Sequence, residues 1–279
     1  MFQNKKSFGQ NFLSDKNIVK KIVAAAEVKA GDLVLEIGPG QGILTEALLD
    51  VGAQVIAVEL DKDLIEPLKE KFGDKINLLQ GDILATNTWK MIRNCIVDRQ
   101  PYSVVANIPY NITSPILETL FKAEPRPTSM TLMVQREVAD RILAEPPKTS
   151  VLSVACQLYA TGKKALQVPR GAFQPTPKVD STVIRLVLRS NWLGNIDQEE
   201  ILKLVKAGFA ARRKQLHGNL VKAGFGSQEK IKGHLKSLGL SEKARAENLT
   251  VEQWVELFVG LEGTRSIKGT RGTKGFGGL

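Results

Sequence analysis

Asn107-Ile108-Pro109-Tyr110 carries the densest chemistry in this chain of 279 residues. Asn107 brings a neutral acceptor and two amide donors at every working pH. Pro109 fixes φ and has no N–H, which leaves the carbonyls of Asn107 and Ile108 free to accept. Tyr110 adds a flat π face. Two acceptors beside a stacking face suit an exocyclic amine on a flat heterocycle, such as N6 of adenine. An ordinary turn, with Asn and Pro as turn formers, accounts for the same four residues. The run before them, Tyr102–Ala106, reads as a buried strand too short for a helix, and open α/β sheets bind ligands at such strand ends.

A second set of residues points to a cofactor. Glu36, Glu59 and Asp82 stand near the ends of predicted strands Leu33–Ile37, Gln54–Glu59 and Ile76–Gln80. Helices from Ile43 to about Val51 and over Lys62–Phe72 alternate with them, which predicts an α/β fold with a parallel sheet and right-handed crossovers. The loop from Gly38 through Gly40 to Gly42 lets backbone approach a ligand closely. Glu59 follows Gly38 by 21 residues, the spacing that takes both hydroxyls of a ribose. NAD fits poorly. Its fingerprint wants a glycine where Ile43 stands, Pro39 removes an amide that a pyrophosphate would use, and Asp82 adds a third acid. An adenosine cofactor with no phosphate and a positive centre fits better, and S-adenosylmethionine is such a cofactor: ribose for Glu59, adenine for Asp82, sulfonium and ammonium for the acids. Glycines that merely pack strand on helix are the alternative.

The remaining elements must hold these groups. Ser14 or Asp15 caps a helix to about Ala26 whose apolar face is Ile18, Val19, Ile22 and Val23. Phe12 and Leu13 read as a staple on that helix in preference to a segment folded over a ligand. Helices follow from Ser114 or Pro115 to Ala123, over Arg136–Ala144 and over Ser150–Ala160, with a buried strand at Thr128–Val134. Ala165–Val168 and Thr182–Leu188 read as paired strands closing the sheet. Between them, Phe173–Ser181 is a proline-stiffened loop that holds Phe173 either over the site or in the core. From Gln198 the pattern turns to short amphipathic helices: Glu199–Phe209, Lys214–Lys222, Glu229–Leu238 and Thr250–Leu261. This divides the chain into a domain at 1–189, a small helical domain at 190–262, and a disordered basic tail at 263–279 rich in Gly, Thr, Lys and Arg.

Charge and composition narrow the partners. The net charge is +10, and from Ser190 onward 15 Lys and Arg face 9 Asp and Glu, which favours a polyanion such as nucleic acid. Arg212, Arg213 and Lys214 form the densest basic cluster, a phosphate-contacting patch or a solvated helix end. No apolar run of about 18 residues predicts a membrane span, and the basic N-terminus lacks the apolar stretch of a secretory signal. Cys95 and Cys156 have no metal-ligand spacing, so buried thiols in a cytoplasmic, reducing setting and no metal site are expected.

Taken together, Phe8–Leu13, Glu36–Gly42, Glu59-Leu60-Asp61, Gly81-Asp82, Asn107–Asn111 and Phe173–Ser181 resemble, in order, the motifs of the KsgA-type rRNA adenine N6,N6-dimethyltransferases. The resemblance runs from about Lys5 to Gly260. It implies a Rossmann-like S-adenosylmethionine-dependent methyltransferase domain with a small C-terminal α-helical domain. It implies cofactor contacts at Asn11, Leu13, Gly38, Glu59, Asp82 and Asn107. The implied reaction is dimethylation of two adjacent adenosines near the 3′ end of small-subunit rRNA. The implied partner is that rRNA within a pre-assembled small subunit, met by a monomer with no membrane. In the mechanism read from the residues, Asn107 and Ile108 accept the two N6–H groups, Pro109 frees those carbonyls, Tyr110 stacks the base and Phe173 completes the sandwich. The related Erm type acts on large-subunit rRNA, and the Phe173–Ser181 loop is closer to the KsgA type. A binding factor that keeps the fold without turnover is the reading from another class. One departure stands out: the family's Asn-Asn-Leu is Gly218-Asn219-Leu220 here, which leaves open whether the helix over Lys214–Lys222 holds at Gly218 and how the basic patch meets RNA.

Overall fold

The computed structural model describes residues 11–109, 112–190, 192–194 and 196–269, with side chains to Glu262. Tyr110, the opening basic segment and the end of the tail therefore lie outside the described residues. The chain forms two compact units, Met1–Leu143 with Tyr159–Arg189, and Ala144–Leu158 with Ser190–Leu279. The change at Arg189 falls where the pattern changes. Residues 144–158, predicted within the first domain, instead belong with the second unit. The Trp192 indole N–H donates to the Leu158 carbonyl at 2.9 Å, and the Thr149 hydroxyl to the Glu247 carbonyl at 3.0 Å. Ties over such separations leave no trace in local periodicity.

The strands are β1 (Phe12–Leu13), β2 (Leu33–Ile37), β3 (Gln54–Glu59), β4 (Ile76–Gln80), β5 (Tyr102–Asn107), β6 (Ser129–Gln135), β7 (Ala160–Val168), β8 (Phe173–Gln174) and β9 (Ser181–Leu188). The main sheet runs β4-β3-β2-β5-β6-β9-β7. The first five strands are parallel, and β9 is antiparallel to both β6 and β7. Strand order reverses between β2 and β5, the place where open α/β sheets bind ligands. All five residues of β2 are buried, as a strand covered on both faces requires. This is the Rossmann-like methyltransferase sheet that the motifs imply.

Helices α1 (Lys16–Ala26), α2 (Ile43–Asp50), α3 (Ile65–Phe72), α4 (Thr86–Cys95), α5 (Thr113–Lys122) and α6 (Arg136–Ile142) belong to the first unit. The Asp15 carboxylate caps α1 by accepting from the amides of Asn17 and Ile18, and the predicted apolar face is buried. Helix α4 was not expected; it buries Thr88, Trp89 and Ile92. Strand β7 starts five residues earlier than predicted. It is the sheet edge, with Lys163 and Lys164 exposed and a register shift between Lys164 and Leu166. Lysines suit an open edge but mask the alternation that would reveal a strand.

A larger correction concerns Phe12 and Leu13. They form β1, antiparallel to β8, with Phe12 opposite Gln174 and Leu13 opposite Phe173. Ser14 adds two bonds to the Ala172 carbonyl, from its amide at 2.9 Å and its hydroxyl at 3.0 Å. The segment before α1 is thus clamped to the proline-stiffened loop, far away in sequence, and is no mere staple.

The second unit contains α7 (Val151–Tyr159) up to Leu158, then α8 (Gln198–Gly208), α9 (Leu216–Lys222), α10 (Gln228–Ser237) and α11 (Val251–Gly269). Its core includes Ile201, Leu204, Val205, Leu216, Leu220, Ile231, Leu235, Trp254 and Leu257. Helix α11 continues seven residues into the stretch from Gly263 predicted as disordered. Without proline, each residue added to an existing helix gains a hydrogen bond, which composition does not register.

Candidate active site

A cavity of about 240 Å³ opens at the carboxyl ends of β2, β3, β4 and β5. One water needs roughly 10–15 Å³, so a ligand of many atoms is accommodated. Gly38, Gly40, Glu59, Asp82, Asn107, Ile108, Pro109, Asn11, Leu13 and Phe173 all line it. Apart from Tyr110, every predicted catalytic and cofactor residue is therefore gathered in one place.

Glycine is demanded at two points of the loop after β2. Gly38 has φ of +69° and its amide donates to the Val58 carbonyl at 2.9 Å. A side chain there would meet nothing within 4 Å, so the backbone lies open to a ligand. Gly40 has φ of +59°, and an added Cβ would lie 3.0 Å from the Phe12 ring. Strand β1 therefore packs directly on the glycine loop.

The carboxylates differ in setting. Glu59 is buried at the end of β3; its Oε1 accepts from the Asp61 amide at 2.8 Å and its Oε2 from the Gly40 amide at 3.1 Å. Burial raises its pKa, and those backbone hydrogen bonds oppose the rise. With about four lone-pair sites on its two oxygens, the carboxylate keeps acceptor capacity for a ligand donor. Asp82 is exposed, with Oδ1 accepting from the Leu84 amide at 2.9 Å. Glu36 is the hidden one, 1% exposed. Its Oε2 accepts from the Thr45 hydroxyl at 2.6 Å, while its Oε1 has no partner among the described residues. Burial pushes this carboxyl up to about 8, against the Thr45 hydrogen bonds, with Glu59 adding to the rise. The lining holds four acids, Glu36, Glu59, Asp61 and Asp82, and among the described residues no Lys, Arg or His. Such a cavity suits a ligand that carries positive charge.

Asn107 ends β5, beside β2 at the switch point. Its Nδ2 donates to the Asn11 carbonyl at 3.4 Å, which ties the amino end to the N-terminal segment and leaves Oδ1 as the acceptor. The Ile108 amide donates to the Met133 carbonyl at 3.2 Å, and the Pro109 carbonyl accepts from Ile112 at 3.2 Å. The Ile108 carbonyl has no hydrogen-bond partner among the described residues. Phe173 joins both alternatives of the sequence reading: it is 4% exposed in the core and also lines the cavity. Leu60 and Ile83 are lining residues that motif reasoning passed over. Leu60 is 50% exposed and follows Glu59 directly. A large exposed apolar residue after a strand-end acid is the signal that marks it.

The basic cluster lies in the second unit. Residues 211–215, between α8 and α9, are exposed, Arg212, Arg213 and Lys214 among them. The loop is anchored from below by Asn219, whose Nδ2 donates to the carbonyls of Gly208 at 2.6 Å and Ala211 at 3.2 Å. Gly218 does not break its helix: α9 runs through it to Lys222. A single glycine costs a helix only about 1 kcal/mol, which the packing of Leu216 and Leu220 offsets.

Known proteins resemble this chain along nearly its whole length. Residues 1–262 match the family model described as ribosomal RNA adenine dimethylase. The chain is 39% identical over 257 residues to the ribosomal RNA small subunit methyltransferase A of Dehalococcoides mccartyi, covering 91% of this chain and 87% of that protein. It is 42% identical over 264 residues to the protein of the same name from Rippkaea orientalis, covering 91% and 96%. Among solved structures, a dimethyladenosine transferase from Plasmodium falciparum superposes with a TM-score of 0.76 at 28% identity, over 91% of this chain and 98% of that one. The 23S rRNA methyltransferase ErmE superposes with a TM-score of 0.73, also at 28% identity, over 90% and 100%. With a family model matching nearly the whole chain and relatives near 40% identity along it, the chain belongs to the ribosomal RNA adenine dimethylase family.

Proposed function

We propose that this chain transfers methyl groups to N6 of two adjacent adenosines near the 3′ end of small-subunit rRNA, with the division of labour given below. The enzyme class and the cofactor follow from the family: it is an S-adenosylmethionine-dependent rRNA adenine dimethyltransferase. The observation that carries the residue assignments is a cavity whose charged lining, among the described residues, is acidic, beside the tethered Asn107 amide. The orphaned Glu36 Oε1 and the spare lone pairs of Glu59 make this donor and acceptor set fit that cofactor.

S-adenosylmethionine, when bound, supplies the electrophilic methyl group. Glu59 holds the ribose hydroxyls, Asp82 accepts from the adenine amine, and the open backbone at Gly38 allows close approach, with Asn11, Leu13 and Gly40 completing the wall. The N6 lone pair of the substrate adenine is conjugated into its ring and is a poor nucleophile. Asn107 Oδ1 and the Ile108 carbonyl accept its two N–H groups and localise that pair. Pro109 withholds a competing donor, and Tyr110 stacks the extruded base. Phe173 backs the cavity as a fixed wall, and base–aromatic stacking is worth roughly 1–3 kcal/mol per base. Catalysis is then mostly positioning and oriented dipoles. No strong base is needed, because the methylated ammonium is acidic enough to lose its proton to water.

Arg212, Arg213 and Lys214 contact phosphates. ErmE, a 23S rRNA methyltransferase by its title, superposes about as well as the Plasmodium falciparum dimethyladenosine transferase, so fold alone does not choose the substrate. The relatives near 40% identity, named for the small subunit, favour that substrate. A pre-assembled small subunit, a monomeric enzyme and a cytoplasmic setting complete the reading. No helix among the described residues is long and apolar enough to cross a membrane. Methyl transfer from labelled cofactor to purified subunits lacking the modification tests it. Label recovered as dimethyladenosine from small subunits is expected; label in large subunits, or none, overturns it.

A further inference from the structure

We propose that Glu36 makes cofactor binding proton-coupled: its carboxyl is a neutral acid in the ligand-free chain and releases its proton to solvent when a cationic ligand enters the cavity. The inference rests on the cofactor assignment above and adds a role for a residue to which no part in catalysis has been given.

Three features of the molecule carry it. Glu36 lines the cavity, yet it is 1% exposed and Oε1 has no hydrogen-bond partner among the described residues. Ionisation would leave charge on an oxygen that has lost its hydration and has no donor in its place. Thr45, buried in the first turn of α2, is the residue that donates to it, by its hydroxyl at 2.6 Å to Oε2. Among the described residues, the titratable groups that line the cavity with it are all acids: Glu59 at the end of β3, Asp61 just after it, and Asp82 after β4. Asn11, Phe12, Leu13, Phe173, Asn107, Ile112, Ile116 and Met133 offer no charge from the other walls. Burial, the largest cause, and Glu59 accordingly push the carboxyl up to about 8, while Thr45 pulls it down. An opposite charge within about 4–6 Å favours the charged form of a carboxyl. A sulfonium or ammonium entering this cavity reverses the balance, and the proton leaves Oε1 for the buffer.

Calorimetry with S-adenosylmethionine in buffers of different ionisation heat counts those protons. At pH 7 the wild type should release close to one proton more per site than Glu36→Gln. Gln is nearly isosteric and keeps an acceptor for Thr45, and circular dichroism checks the variant's fold. The ligand's own ammonium, with a pKa of roughly 7.7–8.0, is common to both proteins and cancels in the difference. Between pH 6 and 7.5 the wild-type Kd should tighten about tenfold per pH unit, as single-proton linkage requires, and that of Glu36→Gln should stay nearly level. Thr45→Val, which removes the donor that favours the ionised form, should move the wild-type plateau to higher pH. Equal proton release by wild type and Glu36→Gln, or a level wild-type Kd, overturns the proposal alone. Failure of the wild type to bind S-adenosylmethionine at all overturns the cofactor assignment and the proposal with it.

Discussion

Asn107 owes its usefulness to a residue 96 positions away: the Asn11 carbonyl takes its amino end, so its oxygen is the group offered to a ligand. Removing it in Asn107→Ala should lower kcat by about 10²–10³-fold, the scale for one oriented polar group, with RNA binding kept. Asn107→Asp keeps an acceptor but loses the donor to Asn11 and adds a charge that resists burial under a stacked base. Mass spectrometry of its product nucleosides should show monomethyladenosine accumulating over dimethyladenosine. Wild-type rates in both variants would reduce Asn107 to a turn former. Glu36 belongs to the same scale and carries a stability prediction. Its folded pKa, about 8, lies above its ordinary 4.5. The neutral acid therefore stabilises the ligand-free fold fully below about pH 4.5, and that contribution is lost as pH rises through about 8. The Tm of the wild type should fall relative to Glu36→Gln as pH rises from 5 to 8. A constant difference would show that Glu36 ionises as an ordinary carboxyl.

At the scale of elements, two short pieces do the positioning. The β1–β8 pair, two residues on each side, fixes Leu13 and Phe173 in the cavity wall and sets Phe12 on Gly40. In the second unit, Asn219 on α9 holds the carbonyls that flank the basic loop. If Arg212, Arg213 and Lys214 contact phosphates, replacing all three with Ala should shrink the slope of log K for RNA against log salt by about 2–3 units. Asn219→Ala should move the slope the same way by loosening the loop, with cofactor affinity unchanged. Gly218→Asn should leave it as it is, since nothing lies within 4 Å of an added Cβ. An unaltered slope in the triple variant would make the loop a solvated helix end.

For the whole molecule, the interleaved division matters most. Residues 144–158 leave the first unit and serve the second, tied there by Trp192, Gln198 and Glu247. A chain ending at Arg189 is therefore not a free methyltransferase domain, because it keeps that segment and discards its partners. Each lost hydrogen bond costs roughly 1 kcal/mol, on top of packing. Such a chain should melt below the full-length protein and aggregate in size-exclusion chromatography; a monomeric 1–189 with the full-length Tm would show the two units to be separable there.

By itself, the sequence determined the strand–helix alternation, the glycine loop with Glu59 and Asp82, the Asn107–Tyr110 stretch and the late helical unit. Each rests on local period or on residue types within a few positions, which is the information a linear chain carries openly. Only the tertiary structure decided that Phe12 and Leu13 pair with Phe173 and Gln174 and that 144–158 joins the second unit. The same holds for Glu36. Along the chain it is one of three strand-end acids, and only burial distinguishes it from Asp82, which is exposed. Pairing, packing and desolvation depend on which distant groups come together, and a residue's own neighbours in sequence do not specify them.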